Sequence, residues 1–184
     1  MVFGLQRVLH YYEATEANFI LYSIVKMKSL CNVANKVTVT VEDENWVKRT
    51  QEFTNITCTA GRTQLAQRLI DTTTDLGVAK YIAVGDGVTA PAESDIGLTN
   101  EIVRSAIITD LSTNTTTSTN VYARFWRGDS LVLHEAGLFI WPTATSTNGS
   151  GALLCHSLFG STVTKSAVEI LTIQWTINVL NYVI

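Results

Sequence analysis

Proline is nearly missing from this chain, with two residues in 184, and charged residues make up only 16% of it. The shortage of proline leaves backbone N–H groups able to join ladders almost everywhere, which suits sheets and excludes a polyproline linker or a collagen-like repeat. Low charge together with 46% hydrophobic residues excludes a disordered chain, because there is enough apolar surface to offset the entropy of folding. Clustered positive charge is also lacking. The 13 basic and 16 acidic residues are scattered, for a formal net charge of -3, so nothing tracks a phosphate backbone and no nucleic-acid partner is expected.

Cysteine and histidine supply no metal framework. Cys31, Cys58 and Cys155 form an odd set without CxxC spacing, which fits neither a zinc site nor a full disulfide scaffold. They read as small buried hydrophobes, with a Cys58–Cys155 bridge left open for an oxidising environment. His10, His134 and His156 are too far apart for a local metal motif, and His156, inside an apolar run, reads as a satisfied core or interface imidazole. No cofactor is expected.

Long apolar runs are lacking too. The N-terminal "ANFILYSIV", residues 17 to 25, falls well short of the roughly 20 residues that a membrane-crossing helix needs, so no membrane span is expected. A signal peptide fits poorly, since Glu13 and Glu16 precede the run and no small-x-small cleavage site follows it. Leu5, Val8, Leu9 and Tyr12 have helical spacing, and residues 19 to 25 are apolar on all sides. Residues 2 to 28 therefore read as a helix or extended arm, packed either on its own domain or on a neighbouring subunit. Phe3, Leu5, Val8, Leu9, Phe19, Ile20, Leu21, Ile24 and Val25 carry more apolar surface than a short terminal helix hides, and form the expected assembly arm. The expected division is residues 1–35 as arm and 36–184 as a β domain.

What the chain has in plenty is alternation. Val37, Val39 and Val41 alternate with Thr38, Thr40 and Glu42, the signature of a half-buried strand. "VYARFWR" (121–127) puts Val121, Ala123 and Phe125 on one face, and Gly128-Asp129 then predicts a hairpin into "SLVLHEAGLFIW". "ALLCHSLF" (152–159) is a further strand, and the closing segment places Leu171, Ile173, Trp175, Ile177 and Val179 on one face of a core strand. One helix is predicted, "TAGRTQLAQRLID" (59–71), with Leu65, Ala66, Leu69 and Ile70 inward and Thr59 or Thr63 near its start as a cap. The fold expected is mainly β: an antiparallel β-sandwich with one short helix and an N-terminal helical or extended arm.

The stretch "YIAVGDGVTAP" needs a decision. A phosphate loop reads GxGxxG or GxxxxGK[ST] and opens a helix, whereas Gly85-Asp86-Gly87 leads into Val88-Thr89-Ala90-Pro91 with neither a third glycine nor a lysine. The expected role is a structural loop. Gly85 and Gly87 would turn the chain at a strand end through positive φ, and Pro91 would fix the loop that follows. Asp95, Glu101 and Arg104 would hold that loop by an ion pair or a backbone cap. His134 and Glu135, adjacent on a strand, point to opposite faces and make no acid–base pair, so no catalytic residue is expected.

Taken in order, Asn55-Ile56-Thr57 with Gly61, "YIAVGDGVTAP", Asp95, Leu98, Glu101, Arg104, "HEAGLF" (134–139), Leu153-Leu154, Phe159, Thr164-Lys165 and "LTIQWTINV" resemble small virion proteins of tailed bacteriophages and related prokaryotic viruses. The resemblance covers residues 53 to 179. It implies a non-enzymatic structural protein located in the virion, in the tail, baseplate or fibre-attachment region or as a capsid decoration. Its partners would be copies of itself, as a trimer or ring, and other virion proteins. The segment before residue 36 departs from the pattern.

Two readings from other classes stay open. A carbohydrate-binding β-sandwich would present Trp126, Trp141 or Tyr122 on one platform, and a cell-surface filament subunit would exchange strands through its N-terminal arm. The sequons at Asn55, Asn114 and Asn148 do not separate these readings.

Overall fold

The computed structural model describes residues 35–67, 79–115, 117–140 and 143–178. The nine arm residues, Cys31, Trp141 and Val179 lie outside them. Among the described residues ten strands form two antiparallel five-stranded sheets. The first sheet runs β2 (Lys48–Thr54), β1 (Asn35–Glu42), β10 (Ile170–Asn178), β7 (Ser118–Phe125), β6 (Thr113–Asn114). The second runs β3 (Ile56–Thr57), β9 (Ala152–Lys165), β8 (Leu131–Ile140), β4 (Ala79–Gly85), β5 (Glu101–Ala106). The expected antiparallel β-sandwich is the fold observed.

Register follows the hydrophobic alternation. Val39 lies opposite Ile173, and Ile173 opposite Ala123, so the apolar side chains of β1, β10 and β7 fall in rows on one face. Those rows meet Ile82, Val84, Leu133, Leu138 and Leu154 from the second sheet in one core. Trp175, fully buried, is the largest side chain in it. Phe53 and Phe159 close the core at the β2 edge, their rings stacked at 4.6 Å between centroids. Of the five apolar positions expected on the last strand, Leu171, Ile173 and Trp175 are fully buried and Ile177 is half-buried.

The second sheet is covered on its outer face as well. Cys58, Ala83, Phe139, Ala144 and Leu153 form a smaller apolar cluster there, beneath the helix α1 (Thr59–Gln67) and the loop between β4 and β5. Both faces of β8 are therefore buried, and its sequence "LFI" loses alternation for that reason. The helix differs from expectation in how it packs. Ala66 is exposed, and the close approach is made instead by Gly61, where a Cβ would stand 2.4 Å from the Leu154 Cα. Cys58 and Cys155 are buried hydrophobes, as expected; the bridge left open between them does not form, because Cys155 belongs to the inner core and Cys58 to the cluster on the opposite face of the sheet. Among the described residues no helix is long and apolar enough to cross a membrane.

Candidate functional site

The outer face of the second sheet carries three of the buried polar groups among the described residues, Arg104, Glu135 and His156. Strand β8 supplies Glu135 and β9 supplies His156, both fully buried, while the loop after β4 folds back over them. A β-bulge between Leu133 and Glu135 aims the Glu135 carboxylate at this loop. Its Oε1 accepts the backbone N–H groups of Gly87 at 3.2 Å and Asn100 at 2.8 Å. Its Oε2 accepts the N–H of Thr99 at 3.0 Å and the Nε2–H of His156 at 2.9 Å. A carboxylate has about four lone-pair sites, and all four are used. Asp95 completes the arrangement: its Oδ2 accepts Nδ1–H of His156 at 2.7 Å and the N–H of Ala92 at 2.8 Å.

An imidazole that donates from both nitrogens is an imidazolium, and the surroundings favour that form. Burial alone would lower the His156 pKa, but its bonds to Glu135 and Asp95 more than offset this and raise it. Burial likewise would raise Glu135, yet the bonds from His156, Asn100 and Thr99 hold it below the usual carboxylate range. A charged His156 thus bridges Glu135 and Asp95, and the three side chains fasten the loop from Gly87 to Asn100 to the sheet.

The glycines at the loop entrance work differently from the sequence expectation. Neither Gly85 nor Gly87 has positive φ, which among the described glycines is confined to Gly128, Gly149 and Gly151. Their reason is space. A Cβ on Gly87 would lie 2.3 Å from Glu135 Oε1, and one on Gly85 would lie 2.2 Å from the Asn100 carbonyl oxygen. The absent side chains make room for the carboxylate and for the returning loop. Pro91 is half-buried within that loop, one residue before the tight turn in which Asp95 N–H donates to the Ala92 carbonyl.

Glu101 and Arg104 form a second buried pair on β5. Arg104 Nε and Nη2 donate to the two Glu101 oxygens at 2.6 and 2.7 Å, and the guanidinium lies over Phe139 at 4.5 Å from the ring centroid. The remaining donor, Nη1, reaches the carbonyls of Thr145 and Ser150. Glu101 in turn accepts Gly149 N–H at 3.0 Å. This pair holds the β8–β9 loop, where Gly149 (φ +74°) and Gly151 (φ +90°) supply left-handed turns that other residues adopt at a cost. Asp95 is not part of this pair.

Chemically, these groups are occupied. Glu135 has no lone pair left to take a proton from a substrate, and Arg104 is spent on Glu101 and two carbonyls. The Cys58 thiol, buried near Asp95, has its pKa pushed up to about 12, far from the thiolate that a nucleophile requires. Sequence reasoning named Gly85, Gly87, Asp95, Glu101 and Arg104 but missed that Glu135 and His156 organise the loop. One signal was present: a single acid within the apolar run "LVLHEAGLFI" must be paired if buried, and a single histidine stands in the similarly apolar "ALLCHSLF".

In comparisons with family models, curated proteins and solved structures, the chain matches none.

Proposed function

We propose that the chain is a non-enzymatic structural subunit of a tailed-virus particle, acting as an oligomer in the tail, baseplate or fibre-attachment region or on the capsid surface. The observation that carries the non-enzymatic reading is the use of all four acceptor sites of Glu135, three by backbone N–H groups and one by His156. Its charge fastens a loop, and the neighbouring Arg104–Glu101 pair fastens another. The virion reading rests on the resemblance of the ordered residue series. Several of its members, Gly85, Gly87, Leu98, Gly137 and Leu153, crowd around this one framework, as expected of residues whose spacing serves folding rather than binding.

Residues 1–30 are proposed as the contact arm. The described β domain has a continuous inner core of its own, so a chain lacking residues 1–30 should remain a soluble, β-rich monomer and lose assembly. Light scattering and circular dichroism on both forms check this. Precipitation of the truncated chain as unfolded protein, with a monomeric full-length chain at micromolar concentration, would place the segment in the core and end the arm proposal. Copy number in purified particles tests the location: threes, sixes or twelves for a tail-tip or fibre-base protein, hundreds for a decoration protein, and none in any particle would refute it. Carbohydrate binding remains the second reading, favoured by Trp126, which is 62% exposed.

A further inference from the structure

Where β5 of one sheet faces β7 of the other, the sandwich opens into a cavity of about 210 Å³ whose wall includes Val103, Ser105, Arg124, Trp126, Asp129 and Lys165. Arg124 is its unusual feature. Its Nε is buried with no hydrogen-bond partner, while its guanidinium lies 5.6 Å from the centroid of the Trp126 ring. The backbone beneath is fixed, since Ser105 Oγ donates to the Arg124 carbonyl at 2.7 Å. Lys165, only 2% exposed, adds a second cation held in place by the carbonyls of Asp129 at 2.7 Å and Ser166 at 3.2 Å.

We propose that this cavity binds a sugar acid, a saccharide unit carrying a carboxylate. A guanidinium whose buried Nε–H is unanswered gains a partner if its side chain turns toward a carboxylate, whose two oxygens match the Nε–H and Nη–H fork with two parallel bonds. Trp126 offers an exposed aromatic face beside that fork, against which the C–H face of a pyranose ring stacks. Asp129, on the same wall, is an acceptor that calls for hydroxyl donors. Acid and hydroxyls on one small ring satisfy both demands, whereas an acidic peptide side chain would leave Asp129 facing a like charge. Size agrees: the volume is below the roughly 300 Å³ at which pockets begin to enclose drug-sized ligands, so a single ring fits and a nucleotide does not. The site is independent of the virion proposal, because a monomer outside any particle would have it.

The test is a titration of the full chain with glucuronate, galacturonate or N-acetylneuraminate, read by ¹H–¹⁵N NMR at the Trp126 indole and Arg124 Nε–H. Glucose, acetate and an acetylated, amidated glutamate serve as comparison ligands. The expected result is saturable shifts at both groups with at least one sugar acid, at a Kd in the millimolar range, and about tenfold or more weaker binding of glucose and acetate. Trp126→Ala removes an exposed ring, so it should weaken binding by about tenfold at unchanged melting temperature, and Arg124→Gln should weaken it at least as much. Trp126→Ala carries the test if Arg124→Gln fails to fold. Equal binding of glucose, full affinity for acetate alone, tighter binding of the glutamate derivative, wild-type affinity in Trp126→Ala, or no saturable shift with any sugar acid would each overturn the proposal.

Discussion

Gly87→Ala isolates the reason for the glycine at the mouth of the β4–β5 loop. Gly87 does not have positive φ, so alanine meets no backbone penalty, and any loss of stability comes from the new methyl group. That carbon would lie 2.3 Å from Glu135 Oε1 and 2.5 Å from Thr99 Cβ. The carboxylate cannot retreat freely, because the same Oε1 holds Gly87 and Asn100 while Oε2 holds Thr99 and His156. Giving up the two Oε1 bonds costs about 1.5–3 kcal/mol each for charged hydrogen bonds. Alanine's stiffer unfolded chain returns about 0.4–1 kcal/mol. A net loss of about 2–5.5 kcal/mol follows, a large share of the roughly 5–15 kcal/mol that holds a domain together.

Urea denaturation at neutral pH measures this loss, with Gly97→Ala as the comparison. Gly97 lies in the same loop, and a Cβ there has nothing within 4 Å, so its substitution should stay within about 0.5 kcal/mol of the original. A net loss of this size lowers the melting temperature by about 4–22 °C in a chain of this length. Amide exchange at Thr99 and Asn100 should be slow in the original protein and fast in Gly87→Ala. If the two alanine variants melt together, or if those amides exchange rapidly to begin with, the loop is not fastened by Glu135 and the steric account fails.

Two other perturbations follow from the same geometry. Arg104→Met leaves Glu101 buried without its partner and should destabilise by about 3–5 kcal/mol, with part of the loss recovered when Glu101→Gln is added; thermal melting of the single and double variants checks this, and an unchanged melting point would remove the framework role. Stability should also depend on pH at both ends. His156 has a raised pKa, so its contribution is complete below the ordinary value of 6.5 and is lost as pH rises through the raised one. Glu135 and Glu169 have lowered values, that of Glu169 falling to about 2 beside Arg49, so theirs is complete above 4.5 and is lost as pH falls. Melting temperature against pH should therefore peak between these limits, and His156→Gln should flatten the alkaline limb, as measured by scanning calorimetry.

The inner core was legible because each strand that builds it has one buried face. Val37, Val39 and Val41, Val121, Ala123 and Phe125, and Leu171, Ile173 and Trp175 all announce themselves by alternation. Strand β2, "KRTQEFT", hides because it is an edge: six of its seven residues are polar or charged, and most are exposed, as suits a strand that must not pair with strangers. Strand β5, "EIVRSA", hides for a different reason. Its outward positions carry the Arg104–Glu101 pair, so charge marks a buried face where a sequence reading expects solvent. The loop framework was half legible. Glycines, Asp95, Glu101 and Arg104 stand in a compact segment, but Glu135, against which Gly85 and Gly87 pack, arrives from a strand about 50 residues later, and single-sequence spacing carries no register between the two.

Exposed apolar side chains include Val88 and Ile96 on the fastened loop, and a further group is placed unevenly among the turns. Trp46 and Val47 lie in the β1–β2 turn, Trp126 opens the β7–β8 turn, and Val168 sits in the β9–β10 turn. Strand order and register bring these three turns to one end of the sandwich. That end is also tied together by polar contacts. Gly128 N–H donates to the Ala167 carbonyl at 2.8 Å, and Arg49 pairs with Glu169, whose carboxylate also accepts Ser166 N–H at 2.7 Å. Exposed rings on cross-linked turns keep their geometry without a partner, which is what a preformed site requires. The start of β1, Asn35, pairs with Ile177 at the opposite end. Substitution at Trp126 leaves residues 1–30 in place, so loss of ligand shifts in Trp126→Ala with loss of assembly in the truncated chain would assign the two properties independently.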